Sequence, residues 1–101
     1  MNALHIDTSQ ASLVSVILNT PKGDFKKESQ QKFGSQALLG SIVEVLKEAG
    51  LEMKDLTEVK VATGPGSYTG LKVGVAVANA LGFSLGIPVN DKQIEVDLSY
   101  S

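Results

Sequence analysis

From Thr69 to Leu81 the chain reads TGLKVGVAVANAL, a helical stretch with almost no polar side. At about 100° per residue, Gly70, Gly74, Ala78 and Gly82 form one stripe of small side chains. Val73, Val77 and Ala80 widen the apolar surface on one side of that stripe, and Leu71 and Val75 widen it on the other. Only Lys72, Asn79 and Phe83 share the remaining sector. A surface helix needs a single apolar stripe, so this one requires cover on more than one side. A bilayer does not supply it. Lys72 and Asn79 interrupt the run, which is also shorter than the ~20 apolar residues of a membrane span. A sheet beneath the helix and a second surface beside it are required.

The rest of the chain provides the sheet. ALHIDTS, Ala3 to Ser9, reads as a buried strand ending in a polar turn, and SLVSVIL, Ser12 to Leu18, as a second strand. Thr20, Pro21, Lys22 and Gly23 make a turn. Asp24 to Phe33 is a weak third strand whose lysines and glutamate suit a sheet edge. Ser35 opens an amphipathic helix in which Leu38, Leu39, Ile42, Val43, Leu46 and Ala49 recur at three- and four-residue spacing. Lys47 near its end suits the helix dipole, and Gly50 is its stop. Val59 to Thr63 is a short strand, and Gly86 to Val89 leads into a last one. The order β-β-β-α-β-α-β predicts an α/β fold with a mixed five-stranded sheet. The first three strands are antiparallel neighbours, and the later ones arrive parallel through helical crossovers. With 101 residues and no linker, one domain is expected.

The turn GPGSYTG lies between a strand and a helix, where amides collect anions. Its spacing, G-x-G-x-x-x-G, is one residue longer than the dinucleotide fingerprint, and no Gly-Lys-Ser/Thr triplet makes a P-loop. Two readings stand side by side: a tight turn with Ser67 or Thr69 as the helix N-cap, or an anion contact through Gly66 and Ser67. Asp7 and Ser9, in IDTSQAS, resemble the first phosphate hairpin of actin-like ATPases, without its usual glycine. Their bland reading is a polar turn bonded to its own backbone. His5 is the single histidine, with no cysteine in the chain, so no metal site is expected. Glu44, Glu48, Glu52, Asp55 and Glu58 read as a solvated face. The net charge of -2 argues against independent tRNA binding, which relies on Lys and Arg. No basic stretch followed by an apolar one opens the chain, and no signal peptide is expected.

Three segments together resemble the TsaB family, a subunit of the machinery that makes threonylcarbamoyladenosine (t6A) in tRNA. They are IDTSQASLVSVIL, then SQALLGSIVEVLKEAGLEMKDLTEVKVATGPGSYTGLKVG, then ALGFSLGIPV. The resemblance spans residues 3–89, and GPGSYTGLKVG is its most specific element. It implies an actin-like, ribonuclease H-like lobe. It also implies a cytoplasmic, non-catalytic protein without a cofactor, supporting a TsaD-like transferase with a TsaE-like ATPase as third member. The family pairs through the two helices of its first lobe, which also predicts a homodimer when the partner is absent. On this chain those helices give Leu38, Leu39, Ile42, Val43 and Leu46 from the first, and Gly70, Leu71, Gly74, Val75 and Ala78 from the second. The alternative is a degenerate actin-like enzyme with residual nucleotide-binding or peptidase-like activity. The sequence departs from the family in two respects. Gly34 stands where a His often precedes the first helix. NDKQIEVDLSYS, residues 90–101, follows Val89 where a second lobe would begin, which predicts a single-lobed form with a divergent tail. Ile94, Val96, Leu98 and Tyr100 alternate, as in one more strand.

Overall fold

The computed structural model describes residues 1–10, 12–30 and 35–92. Strands β1 (Ala3–Asp7), β2 (Leu13–Thr20) and β3 (Gly23–Gln30) are followed by helix α1 (Ser35–Ala49), a 3-10 turn (Met53–Asp55), strand β4 (Glu58–Val61) and helix α2 (Tyr68–Leu85). The sheet order is β3-β2-β1-β4. β1 pairs antiparallel with β2 and parallel with β4, and β2 pairs antiparallel with β3. The β2–β3 hairpin turns on Pro21 and Lys22, with Thr20 opposite Gly23. Thr20 Oγ1 accepts from the Lys22 amide at 3.1 Å and donates to Gly23 O at 2.8 Å. One side chain thus fixes the turn and, with it, the register of both strands.

The strand alternation decides which face is buried. Leu4 and Ile6 on β1, Val14, Val16 and Leu18 on β2, and Val59 and Val61 on β4 all point one way and are buried. Both helices pack there, α1 over β2 and β3 and α2 over β4 and β1. α1 contributes Leu38, Ile42, Val45 and Leu46, and α2 contributes Leu71, Val75 and Ala78. β3 has little apolar material beyond Phe25, and polar contacts tie it to α1. Ser29 and Ser41 hydroxyls lie 3.2 Å apart, and Lys27 Nζ lies 2.9 Å from Glu44 Oε2. The Glu44 hydrogen bond and charge hold the Lys27 ammonium above the ordinary lysine range. The opposite face of the sheet carries Ala3, His5, Leu13, Ser15, Ile17 and Lys60, all half-buried.

The architecture corrects the expected strand count. Among the described residues the sheet has four strands, and the stretch ending at Val89 makes a single parallel bridge to Val59 instead of a fifth. The chain turns back immediately: Asn90 and Asp91 both have positive φ, 50° and 66°, and Val89 bridges antiparallel to Lys92. Two consecutive left-handed residues are the mark of a type I′ hairpin turn, for which Asn and Asp are suited. α2 is also longer than its sequence period suggests. It runs through Gly82 and stops at Gly86, which is left-handed (φ 66°) and accompanied by an Ile87 N–H to Gly82 O bond of 3.1 Å. The end of the expected third strand at 31–33, Gly34, and the alternating residues of the tail lie outside the described residues.

Candidate protein interface

The passage from β4 into α2 is anchored to the end of β1. Thr8 is fully buried, and its Oγ1 donates to Gly70 O at 2.6 Å. A methyl group added at Gly74 would overlap that same hydroxyl. Gly66 (φ 154°) lies so close to the β1–β2 turn that a Cβ would stand 2.6 Å from Ser9 O. Glycine is needed there for both reasons. Substituting Thr8→Val keeps the shape and removes the bond to Gly70. The expected cost is roughly 1 kcal/mol, read as a lower urea midpoint with an unchanged slope.

Asp7, Ser9, Gly66 and Ser67 are brought together by this anchoring. Asp7 Oδ1 accepts from the Ser9 amide at 2.9 Å and the Ser9 hydroxyl at 2.6 Å. Ser9 O accepts from the Ser67 amide at 2.7 Å. Ser67 is the helix N-cap, and its Oγ accepts from the Gly70 amide at 3.3 Å. The amides of Ser9 and Ser67 that would face an anion are therefore engaged with protein oxygens, and a carboxylate sits beside them. The geometry is that of a self-satisfied turn. Among the described residues, no group of three or more His, Cys, Asp or Glu is placed to hold a metal. No described helix is long and apolar enough to cross a membrane.

The burial pattern divides the ten expected partner residues sharply. Leu38, Ile42, Leu46, Leu71, Val75 and Ala78 are at most 6 % exposed, and Gly70 and Gly74 are buried with them. They face the chain's own sheet or one another and are closed to any partner; the expected face of α2 is therefore corrected. The physical reason is Thr8. Its side chain and Val89 occupy the space above the glycine stripe, so Gly74 and Gly82 serve close approach within the domain. Leu39 and Val43 are the two of the ten that face outward, at 42 % and 52 % exposure.

Leu39 and Val43 lie four residues apart, on one face of α1. α2 presents its other small stripe beside them. Ser35, Leu39, Ala76, Val77, Ala80, Leu81 and Ser84 line an open, mainly apolar cleft of about 440 Å³ between the helices. Phe83, 93 % exposed, projects from α2. Sequence reading missed Ala76 and Ser84 as surface positions because α2 carries two small stripes about half a turn apart. The i, i+4 spacing of Ala76, Ala80 and Ser84 was the available signal, but only the position of Thr8 tells the stripes apart. This is an exposed apolar patch formed by two rigid elements, with small residues permitting close approach. Such patches mark protein–protein contact more often than catalysis.

Comparison with known proteins places this geometry in a setting. The family model described as TsaD, tRNA N6-adenosine threonylcarbamoyltransferase, matches residues 15–91. The tRNA threonylcarbamoyladenosine biosynthesis protein TsaB of Bacillus subtilis (strain 168) is 33% identical over 92 residues, covering 89% of this chain and 40% of the relative. A tRNA N6-adenosine threonylcarbamoyltransferase of Syntrophus aciditrophicus (strain SB) is 39% identical over 54 residues, 54% of this chain and 16% of that protein. Among solved structures, YeaZ from Pseudomonas aeruginosa superposes with a TM-score of 0.81 at 27% identity, over 96% of this chain and 45% of that one. The chain spans less than half the length of these relatives.

Proposed function

Because the chain belongs to the family of the TsaD-type tRNA N6-adenosine threonylcarbamoyltransferases, on its TsaB side, we propose that it is a non-catalytic subunit for t6A formation in tRNA. In this reading it has an actin-like lobe and works in the cytoplasm. Its role is to bind and support a TsaD-related transferase, within an assembly that includes a TsaE-like ATPase. The observation that carries the reading is the apolar cleft between α1 and α2, flanked by exposed Leu39, Val43 and Phe83. A site for chemistry needs free donors, acceptors or a nucleophile with its base. This surface offers only the Ser35 and Ser84 hydroxyls, with no ionisable side chain in its lining to serve as a base, and it offers the apolar, small-residue surface that a partner helix needs. The same face would pair two copies when the transferase is absent. Co-purification of the chain with its host's TsaD-related protein tests the reading; failure of the two to associate when both are folded contradicts it.

The alternative, a degenerate nucleotide-binding or peptidase-like enzyme, draws on the convergence of Asp7, Ser9, Gly66 and Ser67. The engaged amides and the adjacent carboxylate weigh against it. ATP added to the isolated chain is expected to leave the amide resonances of Ser9, Gly66 and Ser67 in place; saturable shifts confined to those residues would favour the alternative. Unmodified tRNA should likewise bind the chain only with its partner present, since a net charge of -2 provides little counterion release. Salt-sensitive micromolar binding by the chain alone would contradict that expectation.

A further inference from the structure

Among the described residues β4 is an edge strand of the sheet. In its parallel pairing with β1, the Ala62 amide reaches Ile6 O at 3.0 Å, while the backbone groups of Val59 and Val61 point the other way, out of the sheet. Edges of this kind invite a strand from another chain. The Val59 groups are taken by the segment after α2: its amide donates to Pro88 O at 3.0 Å, and its carbonyl accepts from the Asn90 amide at 2.9 Å. That is a normal parallel rung. The next rung, at Val61, would call for the backbone beyond Asn90, but the hairpin turn at Asn90 and Asp91 has carried the chain away.

The Asn90 side chain fills the rung instead. Its Oδ1 accepts from the Val61 amide at 2.8 Å, and its Nδ2 donates to Val61 O at 2.9 Å. A primary amide carries the same donor and acceptor as a peptide unit, so one side chain satisfies both outward groups of Val61. Next to it, Lys60 Nζ meets both carboxylate oxygens of Asp91, at 3.0 and 2.9 Å, from the neighbouring position on β4. The ion pair holds the turn against the strand. β4 itself, EVKV, alternates β-branched and charged residues and contains no proline, so nothing in its own sequence forbids further pairing.

We infer that the Asn90 side chain is a plug that ends the sheet, standing in for a fifth strand at Val61 and denying the β4 edge to the β4 edge of a second copy of this chain. The variant that isolates the plug is Asn90→Gly, because glycine accepts the positive φ of the turn and lacks only the amide. Its Val61 amide should exchange with solvent about tenfold faster than in the wild type, while the Val59 amide, bonded to Pro88, keeps its rate. The variant should also gain concentration-dependent association by sedimentation. Carrying Val43→Asp in both chains being compared removes pairing through the helices from that readout. Unchanged exchange at Val61, or faster exchange with no gain in association, overturns the inference. If Asn90→Gly does not fold, the wild type decides: a scalar coupling across the hydrogen bond from Asn90 Nδ2 to the Val61 carbonyl carbon supports the plug, and its absence rules it out.

Discussion

Gly74→Leu should weaken the native state severely. The added side chain enters the space of the Thr8 hydroxyl, with Thr8 Cβ and Cγ2 3.4 and 3.5 Å from where its first carbon would be. Thr8 cannot swing aside freely, because it is fully buried and bonded to Gly70 O. Overpacking of this kind costs roughly 1–3 kcal/mol and at times more. Breaking the buried bond adds about 1–3 kcal/mol, and the gain in helix propensity returns at most ~1 kcal/mol. The net loss on those figures is about 1–5 kcal/mol, with a middle value of about 3 kcal/mol, a large part of the ~5–15 kcal/mol that holds a domain together. For a domain of this size the middle value corresponds to a fall in melting temperature of about 12–24 °C. Circular dichroism melts give the answer, with Gly74→Ala expected between wild type and Gly74→Leu. A Gly74→Leu chain melting within a few degrees of wild type would mean that α2 does not pack on Thr8 as described.

The same glycine shows how far the sequence could be read. The wheel of α2 asked for cover on more than one side, whereas the chain itself covers one, the face of Gly70, Gly74 and Ala78, and leaves Ala76, Ala80 and Ser84 open. The three- and four-residue spacing of α1 gave its ends, Ser35 and Ala49, without error. Local periodicity carries that information. What it does not carry is which stripe of an all-apolar helix meets the sheet. That depends on Thr8, 66 positions before Gly74 in the chain, which looks from sequence like one more polar turn residue. The missing fifth strand has a similar cause. Ile87, Pro88 and Val89 have strand-like composition, but the left-handed pair Asn90–Asp91 ends the pairing after one bridge. Asn-Asp signals a turn, yet nothing local indicates that the Asn90 side chain would replace the lost rung. Asp7, Ser9, Gly66 and Ser67, grouped from the sequence, are also neighbours in the fold. That the Ser67 amide is taken by Ser9 O depends on a contact between distant parts of the chain, which no local pattern signals.

The second large effect concerns the outward face. Leu39 and Val43 are half exposed, so carboxylates there remain in water in the free chain and should cost the fold little. In a complex they would be buried among apolar side chains with no partner for their charge, and that is costly. Leu39→Asp combined with Val43→Asp should therefore leave the melting temperature within a few degrees of wild type and still weaken the complex severely. An interface hot spot contributes about 2 kcal/mol or more, which is about 30-fold in affinity, so a charged pair placed there should lower affinity by at least that factor. Phe83→Asp serves as a third probe on α2, where its 93 % exposure makes damage to the monomer negligible.

Calorimetric titration of the chain against its host's TsaD-related transferase addresses the central claim most directly. The account predicts saturable binding by the wild-type chain and a loss of at least about 30-fold for the folded Leu39→Asp, Val43→Asp variant. Binding of that variant at wild-type affinity would contradict it, because the transferase would then be meeting some surface other than the cleft between α1 and α2.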